Sequence, residues 1–373
     1  MGTGDGGGVL GLRALNRATL ERQALLGRSG VSPLEMVTRL VAVQGQEANA
    51  PYIGLWTRLQ VFRREELTEL LCDRRVVRSS LLRGTQHLTV ADDYPWLRAL
   101  VQPLIERIRR SGFGRATEGI DPGELAKVTR ELLRGRTLTR PEVGRLLAER
   151  YPGRDVTALG WSAQCLVPLV HRPPNGTWGK GGATPFTLAE EWIGRPLEET
   201  PSVEELIRRY LAAFGPATVK DVQVWSGLTR LAERVEGMRG ELRTFRDEAG
   251  RELFDLPDAP LPDGDVPAPV RFLPEFDNLV VGHADRTRLM PDEHRRRVIT
   301  GSWVRATFLV DGFVRGVWDI GDDGDRATLT LRQYERLAPA DREALAEEGL
   351  RLLAFAAPDR THDIAFVPPE PVG

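Results

Sequence analysis

The sequence predicts a mainly α-helical chain carrying β hairpins, an α+β protein of three tandem winged-helix units followed by a C-terminal β-barrel-like domain. Three observations lead there. Capped helices recur in groups, each group closes on a β-rich stretch around a turn, and the last part of the chain changes to strands. The hairpin centres, near residues 84, 176 and 249, are spaced by about one small domain each.

In the first group, Ser32-Pro33-Leu34-Glu35 is a capping box with proline at the first helical position. A helix is therefore expected from Pro33 to about Val43, ending near Gly45, with further helices at about 51–60 and 64–73. Val76 to Ala91 then turns β-rich on both sides of Arg83-Gly84, the pattern of a hairpin. In the second group, Asp121 caps a helix to about Arg134 and Thr139 with Pro141 starts another. Val156 to Leu166 forms a third, before LVHRPPNGTWGKGG with its Pro-Pro-Asn-Gly turn. In the third group, Ser202 caps Val203 to Ala213 and Thr218 opens a helix to about Trp225. Thr229 to Met238 leads into the hairpin ELRTFRDEAGRELFDL, turning near Ala249-Gly250.

Asp255 to Pro269, rich in proline and acid, reads as a linker. Beyond it, Val270–Phe276, Trp303–Val310, Phe313–Ile320, Ala327–Leu331 and Asp363–Val367 read as strands, with a tight turn at Asp311-Gly312 and one helix from about Pro339 to Phe355. That is a small β-barrel or curled sheet with one helix. The expected domains are winged helices over 10–115, 116–198 and 199–258, and the C-terminal domain over 266–373.

Hydrophobic content of 41% and charged content of 28% are ordinary globular values and exclude a fibrous or disordered chain. No stretch approaches the roughly 20 apolar residues of a membrane span. The start, MGTGDGGGVLGLR, lacks a basic flank followed by an apolar run, so a cytoplasmic location is expected. Two cysteines, Cys72 and Cys165, lie far apart in apolar helical contexts, which fits a reducing compartment and excludes a cysteine-rich zinc site. No metal or cofactor is expected. The net charge of −2 argues by itself against a nucleic-acid partner. Lysine occurs only at 127, 180 and 220, so 48 of the 51 cationic side chains are arginine, a skew that GC-rich coding explains. Arginine nevertheless gathers in IERIRRSGFGR (105–115) and RTRLMPDEHRRR (286–297), while acid gathers in 319–325 and the last helix. A locally basic face on a neutral protein is compatible with that distribution.

Tandem winged helices bind DNA, but the architecture does not separate a regulator from an enzyme. The first chemical candidate is Gln44-Gly45-Gln46, where the expected helix stops and both amides are free to converge on one small ligand. The plainer alternative is that they cap the helix end or face water.

The segment VAVQGQEANAPYIGLWTRL (41–59) resembles the catalytic segment of the AlkZ/YcaQ DNA glycosylases, in the branch that carries Gln-x-Gln rather than Gln-x-Asp. LRGTQHLTV (82–90), FGPATVKDVQVWSGL (214–228) and LPEFDNLVVGHADR (273–286) extend the resemblance in order along the chain. It implies three winged helices and a C-terminal β-barrel, with Gln44 and Gln46 as catalytic residues. One departure is Gly45, where the family usually has a bulky apolar residue; glycine is expected to loosen the backbone between the glutamines.

An amide has no useful basicity near neutral pH, so two glutamines require a leaving group that is already good. Guanine alkylated at N7 or adenine alkylated at N3 is cationic and departs unprotonated. The glutamines would hold a water below C1′ and turn dipoles toward the developing sugar cation. Asn49, Thr85, His87, His283 and Asp285 are candidate pocket residues, and Arg78, Arg83, Arg286 and Arg288 candidate DNA contacts. His87 reads equally as a packed structural histidine, and Asp285 with Arg286 as a local ion pair between domains. Trp161, Trp225 and Trp303 lie in apolar patterns that read as core. No lysine stands near Gln44 in the sequence, so Schiff-base lyase chemistry is not expected. The expected partner is double-stranded DNA holding alkylated or crosslinked purines, met by a monomer with no membrane association. The alternatives are a non-catalytic winged-helix regulator and, more remotely, a protein that sequesters a genotoxic metabolite.

Overall fold

The computed structural model describes residues 8–183 and 185–369. The first seven residues of the start read above for an export signal, and the last four of the expected C-terminal domain, lie outside the described residues.

Strand β1 (Val9–Leu10) and helix α1 (Leu12–Arg22) precede the first group, which runs α2 (Pro33–Arg39), β2 (Val43–Gln44), α3 (Ala50–Trp56), α4 (Arg64–Cys72), β3 (Val76–Ser80) and β4 (Gln86–Val90). The Ser32 capping box forms as expected, with Ser32 Oγ accepting from the Glu35 amide and the Glu35 carboxylate accepting from the Ser32 amide. The helix it opens ends at Arg39, four residues short of the expected Val43. Val41 takes a left-handed φ of 67°, and the chain leaves it extended to pair β2 antiparallel with β4. Gln44 therefore stands on the short outer strand of a β2-β4-β3 sheet and not at a helix end.

A 20-residue helix, α5 (Tyr94–Phe113), follows, and no element was expected there. The second group holds α6 (Pro122–Leu133), α7 (Arg140–Arg150), α8 (Val156–Leu166), β5 (Leu169–His171), β6 (Phe186–Leu188) and α9 (Ala189–Ile193). The third holds α10 (Val203–Phe214), α11 (Val219–Ser226), α12 (Ala232–Gly237), β7 (Arg243–Asp247) and β8 (Glu252–Asp255). Asp121, Ser202 and Thr218 cap α6, α10 and α11 through their side chains, each satisfying an orphan amide of the first turn.

The C-terminal part contains β9 (Arg271–Leu273), α13 (Asn278–Val281), α14 (Asp292–Val298), β10 (Ile299–Thr300), β11 (Trp303–Val304), β12 (Thr307–Val310), β13 (Phe313–Asp323), β14 (Arg326–Gln333), α15 (Pro339–Ala356) and β15 (Thr361–Val367). Five strands form one sheet in the order β15-β14-β13-β12-β9. Among the described residues β9 and β15 do not pair, so the sheet is open and the expected barrel closure is absent. Helix α15 covers one face, packing Leu345, Leu352 and Leu353 against Phe272, Phe308, Leu329 and Leu331. The expected strand from Trp303 to Val310 breaks in two, and Trp303, expected in the core, is 45% exposed with its ring edge-on to Phe276. Trp225 is core, while Trp161 is half-buried, stacked on Phe113 and lying under the Arg140 guanidinium.

Helix α1 is a strut between the third group and the C-terminal sheet. β1 pairs in parallel with β7; Arg22 makes a bidentate pair with Asp255 (2.6 and 2.8 Å); Asn16 donates to the carbonyls of Arg288 and Gly312 (both 2.8 Å). A second buried pair, Arg58 to both carboxylate oxygens of Asp277 (2.8 Å each), fixes the loop after β9 against the end of α3. Burial of such ions is tolerated because each charge is matched by several hydrogen bonds.

Candidate active site

Strand β2 ends at Gln44, so the chain turns at Gly45 and separates the two glutamines, Gln44 being buried and Gln46 exposed. The Gly45 amide donates to the Gln86 carbonyl (2.9 Å) and its carbonyl accepts from Arg78 Nε (2.9 Å), so the backbone expected to be loose is bonded on both sides. A Cβ at this position would come within 2.5 Å of Leu88 Cδ1, a side chain in the core of the unit. Glycine is thus the residue this packing allows.

Gln44 is buried. Its side-chain oxygen accepts from Arg83 Nη2 at 2.8 Å, and the same guanidinium donates to the Trp225 carbonyl and, at 3.4 Å, toward His87 Nε2. The Arg83 backbone sits in the left-handed region (φ 54°) of the tight turn Leu82–Gly84, which folds the guanidinium back toward β2. His87 Nδ1 lies 3.0 Å from the Thr85 carbonyl and donates to it, leaving Nε2 as the acceptor for Arg83. Burial and the adjacent guanidinium pull His87 down to about 3, so it is neutral and is no proton donor near pH 7. Burial likewise pulls Arg83 down to about 10, which still leaves it charged. Thr85 contributes through its backbone, its hydroxyl being spent on the Leu82 carbonyl (3.3 Å).

Gln46 is exposed and lines a groove of about 510 Å³ with Glu47, Asn49, Arg78, Lys180 and Glu275. Its Oε1 lies 3.5 Å from the Gln86 amide nitrogen, and its carbonyl 3.4 Å from Arg78 Nη2. The other wall is the loop between β5 and β6. Asn49 Oδ1 accepts from the Gly179 amide (2.8 Å), and Trp178 meets Tyr52 edge-on with centroids 5.6 Å apart. Gly176 passes so close that a Cβ there would lie 2.5 Å from Arg78 Nη1. The sequence signal for this wall was only a Gly- and Pro-rich turn.

The structure thus brings together Gln44, Gln46, Asn49, Arg78, Arg83, Thr85 and His87. Of the two arginines expected on DNA, Arg78 braces the Gln-Gly-Gln backbone while lining the groove, and Arg83 faces inward to Gln44. Lys180, remote from Gln44 in the sequence, is carried by the β5–β6 loop into the groove that Gln46 lines. Two acids that sequence reasoning did not single out, Glu47 and Glu275, line it as well.

The remaining candidates lie elsewhere. His283 is buried between Tyr210 and Phe214 and donates through Nε2 to the Phe214 carbonyl (3.0 Å), a structural position. Arg288, expected on DNA, is buried and bonded to the Pro216 carbonyl (3.0 Å) and Thr19 Oγ1 (3.3 Å), and lines a cavity of about 260 Å³ away from the glutamines. Asp285 pairs with Arg251 (2.6 Å), not with Arg286, and is held down to about 2 by the Thr287 amide and hydroxyl and by Arg251, against its partial burial. Arg286 donates to the Val280 carbonyl (2.8 Å) and lines a separate cavity of about 770 Å³ with Lys220 and Arg295. Its charge reaches Arg83 from behind. Among the described residues no group of three or more His, Cys, Asp or Glu side chains could hold a metal ion, and no helix is long and apolar enough to cross a membrane.

A family model described as "DNA glycosylase AlkZ-like" matches residues 37–355. A Streptomyces sahachiroi protein named "Interstrand DNA cross-link repair glycosylase" is 28% identical over 327 residues, covering 81% of this chain and 86% of its own. A solved structure, "Streptomyces sahachiroi DNA glycosylase AlkZ", matches with a TM-score of 0.78 at 24% identity, over 96% of this chain and 100% of the other. The last likeness shows a shared fold.

Proposed function

The chain belongs to the AlkZ-like DNA glycosylase family and is a DNA glycosylase, and we propose that it hydrolyses the N-glycosidic bond of cationic N7-alkylguanine, and of N3-alkyladenine, including bulky adducts and interstrand crosslinks. The observation that carries this reading is the pairing of a buried, Arg83-held Gln44 with an exposed Gln46 on an open groove. Amides bonded in this way supply dipoles and hold water but do not protonate a leaving group. A purine that already bears positive charge needs no protonation. Gln46, on the solvent side, positions the water, and Gln44, polarised by Arg83, orients against the sugar. The product is an abasic site.

The helix-and-hairpin groups at 10–115, 116–198 and 199–258 are read here as winged helices that grip the duplex as a monomer, with 266–373 as the fourth domain. The physiological setting is taken to be the cytoplasm, in repair of, or self-resistance to, genotoxic alkylating metabolites. The testing experiment is incubation with duplex DNA containing N7-methylguanine, with free base followed by chromatography. Base release in wild type and its loss in Gln46→Ala is the expected result; duplex left intact by the wild type overturns the reading.

A further inference from the structure

Glu275 lies between Pro274 and Phe276 in the loop after β9, and it is the residue common to three hollows. It lines the groove with Gln46 and Asn49, the small pocket with Gln44, and a hollow of about 380 Å³ beside Trp303. The Arg58–Asp277 pair two residues on holds this loop rigidly. Among the described residues the Glu275 carboxylate has no ion-pair partner; its own amide bonds it, and the nearby charge of Glu47 opposes it. An unpaired half-buried carboxylate costs stability, and such a cost persists where function needs the group. It is also anomalous in a groove meant for a polyanion, unless what it meets is a cation.

We infer that Glu275 is a third catalytic group, whose carboxylate stabilises the sugar cation between the two glutamines and takes the proton of the attacking water. This rests on the glycosylase chemistry proposed above. As the bond from C1′ to the base nitrogen breaks, its electron pair passes to the cationic base, which leaves neutral. The water oxygen bonds to C1′, and the proton it sheds passes to Glu275 and then to solvent.

Burial raises Glu275 above the usual carboxylate range, which makes it a better base than an exposed glutamate. Glu47, Arg78 and Lys180 face it from the groove, and Arg305, Asp319 and Arg332 from the third hollow, with Arg332 and Asp319 paired to each other. Arg58 and Asp277 neutralise one another. The rate should therefore fall as pH drops through a value above the ordinary carboxylate range.

The test is single-turnover release of N7-methylguanine from duplex DNA by wild type, Glu275→Gln and Glu275→Asp across pH. Glu275→Gln is expected to be slower by about a hundredfold at pH 7 and to lose the acid limb. Its DNA affinity should be unchanged and its melting temperature equal to or above wild type, since an unpaired charge is removed. Glu275→Asp should recover part of the rate and restore an acid limb. A Glu275→Gln rate equal to wild type with the same acid limb overturns the assignment while leaving the glycosylase reading intact. So does a large fall in melting temperature with Glu275→Asp as slow as Glu275→Gln, which marks a structural role. A wild type that releases no base overturns both.

Discussion

The side-chain oxygen of Gln44 accepts a hydrogen bond from Arg83 Nη2 at 2.8 Å, and this bond decides what the buried glutamine can do. One carbonyl lone pair is engaged, so one lone pair and the two N–H groups remain for a substrate or a water. A charged donor also polarises the amide, increasing the negative charge on its oxygen. Arg83 then acts on chemistry only through Gln44, and the two should behave as one unit.

A double-mutant cycle tests this coupling. Gln44→Ala and Arg83→Ala should each slow base release, and the double variant should be no slower than the worse single one. Arg83→Ala should also lower stability by about 1–3 kcal/mol, because the Trp225 carbonyl and His87 Nε2 lose their donor. Additive effects on the rate would show that Arg83 acts independently of Gln44.

Gln46→Ala should reduce base release by about 10²-fold with DNA affinity nearly unchanged, the cost of one group that orients charge or water in the transition state. Its side chain is exposed and weakly bonded, at 3.5 Å from the Gln86 amide, so the substitution should leave the melting temperature alone. Gln46→Asp should keep measurable activity, since a carboxylate also orients water. Equal rates for wild type and Gln46→Ala in single-turnover assays would remove the residue from the mechanism.

Gly45→Ala places a Cβ 2.5 Å from Leu88 Cδ1, so the Leu88 side chain, packed in the core, must shift to admit it. Overpacking of this kind should cost about 1–3 kcal/mol. It should also slow excision by shifting Gln44 and Gln46 together. Combining it with Leu88→Val should recover part of both losses, as read by thermal melts and base release; no recovery would trace the damage to backbone freedom instead of crowding.

The capped helices were legible because Ser32, Asp121, Ser202 and Thr218 act locally, through their own first turns. The strand under Gln44 was not, because Leu40-Val41-Ala42 continues an apolar helical pattern with no glycine or proline. The break there is tertiary: Val41 takes a positive φ and its carbonyl accepts from buried Thr89 Oγ1 (2.8 Å). Pro103 inside α5 masks the longest helix among the described residues. The glutamines themselves stood out through their neighbours in sequence, whereas Lys180 and Glu275 reach the site by long-range packing. The Asn49–Gly179 bond draws in the first and the Arg58–Asp277 pair fixes the second, and neither leaves a local signature.

Acid should destabilise the fold below about pH 6.5, the ordinary histidine value. His87 is pulled down to about 3, and His283 is lowered in the same direction by burial and by Arg288. Below pH 6.5 the unfolded chain takes up protons that these buried rings refuse, so the stability present in full above that value is lost as pH falls toward 3. Melting temperatures from pH 7.5 to 4.5 should show the decline, and His87→Asn should flatten it. A slope unchanged in that variant would assign the acid sensitivity to other groups.

Substrate range follows from the weakness of the glutamines and from the openness of the groove. Uracil and 8-oxoguanine are neutral bases that leave as anions unless they are protonated; Gln44 and Gln46 cannot supply that proton, and neutral His87 cannot either. These lesions should remain untouched. Cationic purines should be released. A deep pocket for a flipped base would reject bulk on the alkyl group, and a crosslinked base could not enter it at all. Here Gln44 is buried behind Arg83, Gln46 is on the surface, and the adjoining space is a groove of about 510 Å³ walled by a loop. Gln46 can meet the sugar from that groove, with Gln44 behind it on the adjoining small pocket, while the adduct stays outside. Rates on a panel of N7-guanine adducts of increasing size should therefore vary little, and an N7-linked crosslink should be unhooked. Release of N7-methylguanine with complete inactivity on every larger adduct would refute the open-site geometry, and rapid removal of uracil would refute the chemistry.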